Sequence, residues 1–234
     1  MKPIIVVRHA HPADSTIPIN SHWVDADLSD LGRRQAACTA ERLKNDLAGE
    51  PCRIWSSDLR RAAQTAAAIG QALGVPVQTT PNLREYKSAL PPGVTEAELR
   101  KYVPGESAPT DDLLANPNAE SWVEFHTRVA EGMERITTDG DDRLLIVVAH
   151  YGANMNVINW WLRIPLTPDG DTPLSFETTL ASITVLKSKP SGKRCLERLN
   201  DVTHLHMAGL TEHGRLVTSP PAAAAPESGQ KPTT

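Results

Sequence analysis

The stretch Ile4-Ile5-Val6-Val7-Arg8-His9-Ala10 decides how this chain is expected to fold. Its first four residues are β-branched, and such a run is typical of a strand buried on both faces of a sheet. A second apolar run, Leu144-Leu145-Ile146-Val147-Val148-Ala149-His150, also ends in a histidine. Polar groups at the carboxyl ends of inner strands of an open α/β sheet lie in the crevice where such folds bind ligands. Both histidines are therefore candidates for a functional site.

Around these two runs the hydrophobic pattern alternates between helix and strand. Helical periodicity covers residues 28–47, 57–74, 119–137 and 152–161. Short strand patterns cover residues 53–56, 75–79, 181–187 and 194–199. Pro76 places its strand near a sheet edge, and the last two strands form a predicted hairpin. This order predicts an α/β fold with a mostly parallel open sheet and helices on both faces.

Two segments do not follow this pattern. Residues 86–118 are rich in proline and lose their periodicity, apart from a short helical pattern at 95–102. We interpret them as an insertion, because long irregular segments in compact domains usually form functional lids or linkers. Residues 217–234 contain a Pro-Ala run and end in polar residues, which predicts a disordered tail. The sequence thus predicts a single domain over residues 1–216.

Length and composition exclude several classes of protein. The 234 residues are enough for one well-cored α/β domain. The net charge of −4 argues against nucleic acid or a membrane surface as a partner. Three widely spaced cysteines form neither a disulfide framework nor a CxxC metal site, which favours a reducing compartment. No apolar stretch is long enough for a signal peptide or a transmembrane helix, so we expect a cytoplasmic protein.

The predicted sheet brings polar groups from three strands together, at the end where the carboxyl ends of the strands meet. Arg8 and His9 end the first strand, and Ser57 ends the second. Arg61 lies one turn into the next helix, and His150 ends a third strand. Two guanidinium groups beside a helix N-terminus match a tetrahedral oxyanion. An imidazole in such a site can attack phosphorus, and its unperturbed pKa of ~6.5 leaves much of it neutral near pH 7.

Six segments resemble, in order, the motifs of the histidine phosphatase superfamily, in its phosphoglycerate mutase-like branch. They are Val7-Arg8-His9-Ala10, Leu28-Ser29-Asp30-Leu31-Gly32-Arg33-Arg34-Gln35-Ala36, Ser56-Ser57-Asp58-Leu59-Arg60-Arg61-Ala62-Ala63-Gln64-Thr65, Leu83-Arg84-Glu85, Val148-Ala149-His150-Tyr151-Gly152 and Leu199-Asn200-Asp201-Val202-Thr203-His204-Leu205. Each segment alone is a weak signal, but together they extend from residue 4 to about residue 206. The resemblance implies a phosphoglycerate mutase-like fold and phosphoryl transfer without a metal ion or another cofactor.

The resemblance also implies a role for each matching residue. His9 is the nucleophile that becomes phosphohistidine. Arg8, Arg61 and His150 hold the phosphoryl oxygens and spread the developing charge, which is the main work in phosphoryl transfer. Glu85 is the general acid that protonates the leaving alkoxide and then the base that activates water. Such a proton transfer typically contributes ~10²–10⁴ in rate.

Several positions differ from the family motifs and bear on the substrate. Ala10 replaces the glycine that usually follows the nucleophile, and we expect its backbone N–H to stay available. Tyr151 follows the second histidine in place of glycine or alanine, where it would close one side of the pocket. Residues 86–89 lack the Tyr-Gly-x-Leu stretch of cofactor-dependent mutases, which favours a phosphatase. The predicted substrate-binding residues are Ser15, Asn20, Ser57, Tyr86 and Tyr151.

The sequence leaves other functions open. One is phosphoryl transfer of the phosphoglycerate mutase type. Another is a metal hydrolase, because His9-x-His11 with Asp14 resembles the ligand sets of amidohydrolases and metallo-β-lactamase-like enzymes. A third is a non-catalytic protein that binds phosphorylated ligands on the same fold. The favoured prediction is a phosphomonoesterase for a small phosphorylated metabolite, with a homodimer left open as its oligomeric state.

Overall fold

A computed structural model of the protein describes residues 2–13, 25–87, 120–168 and 170–211. The strands in these ranges are β1 (Ile4–Arg8), β2 (Cys52–Ser57), β3 (Val77–Thr80), β4 (Leu144–Ala149), β5 (Ile183–Ser188) and β6 (Arg194–Asp201). They form one sheet in the order β3-β2-β4-β1-β5-β6. Strands β1 to β4 pair in parallel, while β5 runs antiparallel to both of its neighbours. The predicted mostly parallel sheet, with the proline-preceded strand at its edge, is confirmed.

The described helices are α1 (Asp30–Leu47), α2 (Arg60–Leu73), α3 (Trp122–Thr137), α4 (Tyr151–Leu162) and α5 (Thr203–Met207). Local capping explains where two of them begin. The Ser29 side chain accepts a hydrogen bond from the Gly32 N–H at the start of α1. Ser121 and Glu124 form a capping box at the start of α3, so this helix begins three residues later than its periodicity predicts.

The helices cover both faces of the sheet, as predicted. Because successive strand residues point to opposite faces, the β-branched run of β1 divides between two clusters of buried side chains. Ile4 and Val6 pack with residues of α3 and α4. Ile5 and Val7 pack with residues of α1 and α2. All six residues of β4 are buried, so the two strands that end in histidines form the centre of a three-layer domain.

Some predictions concern residues outside the described ranges. Of the predicted insertion at 86–118, only residues 86 and 87 are described, and the short helix at 95–102 and the tail at 217–234 lie outside. The single domain over residues 1–216 accordingly stays a prediction. Within the described ranges, no helix has both the length and the apolar composition needed to cross a membrane.

Candidate active site

The two predicted histidines lie side by side. Arg8 pairs with Ala149 in the parallel register of β1 and β4, so the residue after each strand is a histidine at the same sheet edge. The backbone N–H of His9 donates to the Ala149 carbonyl at 2.9 Å. The ring centroids of His9 and His150 are 5.1 Å apart, and both residues are buried, with 6% and 1% of their surface exposed. One buried site therefore holds both imidazoles.

The contacts of His9 define its tautomer. Its Nδ1 lies 2.9 Å from the Ala10 carbonyl oxygen, which only accepts, so Nδ1 carries the proton. Its Nε2 accepts a hydrogen bond from Arg61 Nε at 3.3 Å. Burial, followed by the positive charges of Arg61 and Arg8, lowers the pKa of His9 well below 6.5. His9 is thus a neutral imidazole whose Nε2 lone pair faces a guanidinium group.

The two arginines approach this imidazole from different elements. Arg61 is the second residue of α2 and only 8% of its surface is exposed. Burial lowers the pKa of Arg61, while the nearby carboxylate of Glu85 raises it. Arg8 donates from Nη1 to the Thr178 carbonyl oxygen at 2.5 Å, and its guanidinium carbon is 5.3 Å from the centroid of the Tyr151 ring. Two cationic groups therefore border the nucleophile that we predicted.

The Ser57 side chain contacts His150. Its hydroxyl group is 2.8 Å from His150 Nε2, and neither residue is exposed beyond 1%. Ser57 Oγ also accepts a hydrogen bond from the Leu59 N–H at 3.3 Å. The hydroxyl group therefore orients His150 in this structure, whereas its predicted contact with a substrate stays a prediction.

The Glu85 carboxylate is held by backbone amides. Its Oε2 accepts a hydrogen bond from the Gly152 N–H at 3.0 Å, and its Oε1 accepts one from the Tyr86 N–H at 2.9 Å. Gly152 is the second residue of α4, so the carboxylate lies at a helix N-terminus, where the helix dipole favours a negative charge. A β-carbon on Gly152 would lie 2.6 Å from Glu85 Oε1 and 2.9 Å from the Phe125 ring. Only glycine permits this approach, a role that the sequence motif alone did not reveal.

The expectation for Ala10 is wrong. Its backbone N–H donates to the Thr65 hydroxyl oxygen at 3.0 Å, and the residue is fully buried. The N–H is therefore used within the protein, because α2 places Thr65 against it. The neighbouring His11 is tied to the start of α1, with its Nδ1 2.9 Å from the hydroxyl oxygen of Ser29.

The predicted substrate-binding residues are only partly within the described ranges. Ser15 and Asn20 lie outside them, as does Asp14. The Tyr86 ring packs against Trp122 and Phe125, at centroid distances of 5.8 and 5.7 Å, and burial raises the pKa of its phenol. The Tyr151 hydroxyl group donates to Glu177 Oε1 at 3.1 Å. Its ring lies beside the Arg8 guanidinium, and its contact with a substrate stays a prediction.

Two further features concern other kinds of site. In the described part of the chain, no group of three or more His, Cys, Asp or Glu side chains is arranged to hold a metal ion. A cavity of about 250 Å³ lies at the other end of the central strands, where their amino ends meet. Arg53, Asp141 and Arg143 contribute to its lining. None of the predicted site residues lines that cavity.

The arrangement of these residues agrees with the comparison of the chain with known proteins. The family model described as "Histidine phosphatase superfamily (branch 1)" matches residues 4–202. The chain belongs to the histidine phosphatase superfamily. It is accordingly an enzyme of the group that comprises phosphatases and phosphoglycerate mutase-like proteins.

Three known proteins illustrate how similar the relatives are. A glucosyl-3-phosphoglycerate phosphatase from Mycolicibacterium vanbaalenii is 34% identical over 161 residues, which cover 65% of this chain and 70% of that protein. A metal-independent phosphoserine phosphatase from Arabidopsis thaliana is 27% identical, over 90% of this chain and 86% of that protein. The structure of a mycobacterial glucosyl-3-phosphoglycerate phosphatase with VO3 has a TM-score of 0.68 and 26% identity, over 86% of this chain and 99% of that chain. The histidine phosphatase fold is thus shared over most of the chain.

Substitution of Gly152 by alanine is expected to displace Glu85. The added β-carbon would overlap Glu85 Oε1 at 2.6 Å. If Glu85 has the acid–base role that the sequence predicts, a displacement of about 1 Å can reduce the rate by ~10²-fold. We expect phosphatase activity to fall by roughly that factor in steady-state assays. The control is the same substitution in a Glu85→Ala background, where the methyl group should cause little further loss. An equal loss in both backgrounds would contradict this explanation.

Protonation of His9 is expected only at a pH well below 6.5. Because burial and two arginines lower its pKa, the folded protein should keep His9 neutral at pH 6.5, where half of an unperturbed histidine is charged. Titration of the imidazole resonances by NMR measures this, with the His9→Gln variant used to assign the signal. The urea-unfolded protein is the control, and its His9 should titrate near 6.5. A folded-state midpoint at or above 6.5 would disprove the prediction.

Proposed function

We propose that this histidine phosphatase is a metal-independent phosphomonoesterase that acts through a phosphohistidine at His9. The observation that carries the proposal is the pair of contacts of the buried His9 ring, Nδ1 with the Ala10 carbonyl oxygen and Nε2 with Arg61 Nε. These contacts assign the proton to Nδ1 and leave Nε2 as the acceptor. A phosphoryl group bound by that guanidinium lies within reach of Nε2. Neutral imidazole is among the covalent nucleophiles that proteins use.

In the first step, the Arg61 N–H that binds His9 Nε2 turns to a phosphoryl oxygen, which frees the Nε2 lone pair. Nε2 then attacks phosphorus, and the bond from phosphorus to the leaving oxygen breaks. Arg8, Arg61 and His150 contact the phosphoryl oxygens and stabilise the charge that develops on them. The Ala10 carbonyl keeps its hydrogen bond to Nδ1–H and so stabilises the imidazolium character of the phosphorylated ring. The leaving alkoxide takes its proton from Glu85.

In the second step, the Glu85 carboxylate accepts a proton from water, and the resulting hydroxide attacks phosphorus. The bond between phosphorus and Nε2 breaks, which releases inorganic phosphate and restores neutral His9. The amides of Gly152 and Tyr86 stabilise the carboxylate that forms after the first proton transfer. They also fix its orientation for the second transfer.

The proposed substrate is a small phosphorylated metabolite. The relatives named glucosyl-3-phosphoglycerate phosphatase and metal-independent phosphoserine phosphatase support this class. We assign Tyr151 and Tyr86 to the leaving-group pocket. A cytoplasmic location and a homodimer remain predictions from the sequence.

Removal of the nucleophile is the first test. We expect His9→Ala to lose roughly 10⁴-fold or more of kcat for p-nitrophenyl phosphate, the scale observed when a covalent nucleophile is removed. We also expect an acid-labile phosphoenzyme in the wild-type protein alone, and no effect of EDTA. The control is His206→Ala, which changes an exposed histidine of α5. A His9→Ala protein with wild-type activity would exclude the proposal, and phosphate transferred to a second metabolite instead of released would favour a mutase.

Removal of the acid gives a different signature. We expect Glu85→Gln to slow the hydrolysis of alkyl phosphates, such as glycerol 3-phosphate, by ~10²–10⁴-fold. The loss on p-nitrophenyl phosphate should be much smaller, because p-nitrophenolate leaves without a proton. The measurement is kcat/KM for both substrates in parallel. Equal losses on the two substrates would argue against Glu85 as the general acid.

A further inference from the structure

One arginine of α3 holds the backbone that carries Glu85. The Arg128 guanidinium donates hydrogen bonds of 2.9–3.3 Å to four carbonyl oxygens, which belong to Pro81, Asn82, Arg84 and Glu85. The same group forms an ion pair with Glu120, with its Nη2 2.5 Å from Oε1 and its Nε 2.9 Å from Oε2. Every nitrogen of the side chain is therefore engaged, either with the segment from Pro81 to Glu85 or with Glu120.

The segment needs such a partner because it has no regular structure of its own. It begins as a single 3-10 turn, Pro81–Leu83, and continues through Arg84 in an extended conformation. The Pro81 carbonyl accepts the turn's own hydrogen bond from the Arg84 N–H, whereas carbonyl groups at the end of such a turn lack partners within it. A planar guanidinium offers five N–H donors in a fixed plane, whereas a lysine ammonium offers three on a flexible stem. Arginine is thus the side chain that suits several converging carbonyls.

Glu85 is consequently fixed at both ends. Its carbonyl oxygen accepts a hydrogen bond from Arg128 Nη2 at 3.3 Å, and its carboxylate is bound by the Gly152 amide on α4. The guanidinium carbon of Arg128 lies 5.0 Å from the centroid of the Phe125 ring, and that ring contacts the space beside Gly152. Helix α3 therefore holds the backbone of Glu85, and helix α4 holds its carboxylate.

A second ion pair holds the other side of the segment. Arg84 binds Asp58 with two hydrogen bonds of 2.6 Å, and Asp58 directly follows β2. This pair ties the segment to the strand end next to Ser57. Arg128, by contrast, contacts the backbone of Glu85 itself.

We propose that Arg128 is a positioning residue for Glu85, which sets the reach of the carboxylate toward the leaving oxygen. The proposal rests on the acid–base role of Glu85 given under the proposed function. A purely structural arginine would affect all substrates alike when replaced. A positioning arginine affects most the substrates whose leaving group requires a proton.

The test compares Arg128→Lys with the wild-type protein on two substrates. Lysine retains the charge opposite Glu120 but cannot serve four carbonyls. We expect kcat/KM for glycerol 3-phosphate to fall at least ~10-fold more than kcat/KM for p-nitrophenyl phosphate, since small displacements of a catalytic group reduce the rate steeply. The matched control is Arg135→Lys on the same helix, where the arginine is exposed and its Nε donates only to the Glu131 carbonyl. This control should leave the substrate ratio unchanged.

A double variant separates the two proposals. In a Glu85→Gln background, Arg128→Lys should produce no further change in the substrate ratio, because the acid is already absent. Equal losses on both substrates in Arg128→Lys would overturn the positioning role of Arg128 and leave the acid role of Glu85 intact. A further change in the substrate ratio in the double variant would do the same. Equal losses in Glu85→Gln would overturn the acid role and the positioning role together. If the lysine variant does not fold by circular dichroism, Arg128→Gln, which keeps two N–H donors, is measured with the same criteria.

Discussion

The parallel pairing of β1 with β4 is the interaction on which the rest of the site depends. Its register aligns Arg8 with Ala149, so both strands end at the same level and each is followed by a histidine. The bond from the His9 N–H to the Ala149 carbonyl extends this pairing by one residue. Since β2 pairs with the other side of β4, its carboxyl end and the start of α2 reach the same edge. The crevice at this edge is where an open α/β sheet binds its ligand.

Backbone atoms contact three of the side chains in the proposed mechanism. The Ala10 carbonyl sets the tautomer of His9, the Thr178 carbonyl binds Arg8, and the Gly152 amide binds Glu85. Backbone groups in regular or tightly packed segments do not reorganise during a reaction, so they provide the fixed polar environment that favours charge development in a transition state. The site thus gains its precision from the sheet and from the start of α4.

The sequence predicted the fold well because its two apolar runs are unambiguous. A β-branched run and a continuous apolar run bounded by polar residues leave little alternative to central parallel strands, and the structure has both within one residue of the predicted bounds. The expectation for Ala10 was wrong because its partner, Thr65, lies 55 residues away and the motif does not show where its hydroxyl points. The motif quoted Gly152 without its reason, which is the space taken by Glu85 and Phe125. No pattern marked Arg128, since its four carbonyl partners come from a segment without periodicity.

The sequence by itself determined the order of strands and helices along the chain, the family and the residue types of the site. These follow from local patterns, because hydrophobic periodicity and short motifs are properties of neighbouring residues. Only the tertiary structure decided which atoms meet: the proton on His9 Nδ1, the amides at Glu85, and the guanidinium of Arg128 behind it. The contacts of Glu85 with the Gly152 amide and with Arg128 join segments that are far apart in the chain, and their distances depend on how the helices pack on the sheet. The residue types of the site can thus be recognised from local sequence, whereas their arrangement in space depends on packing.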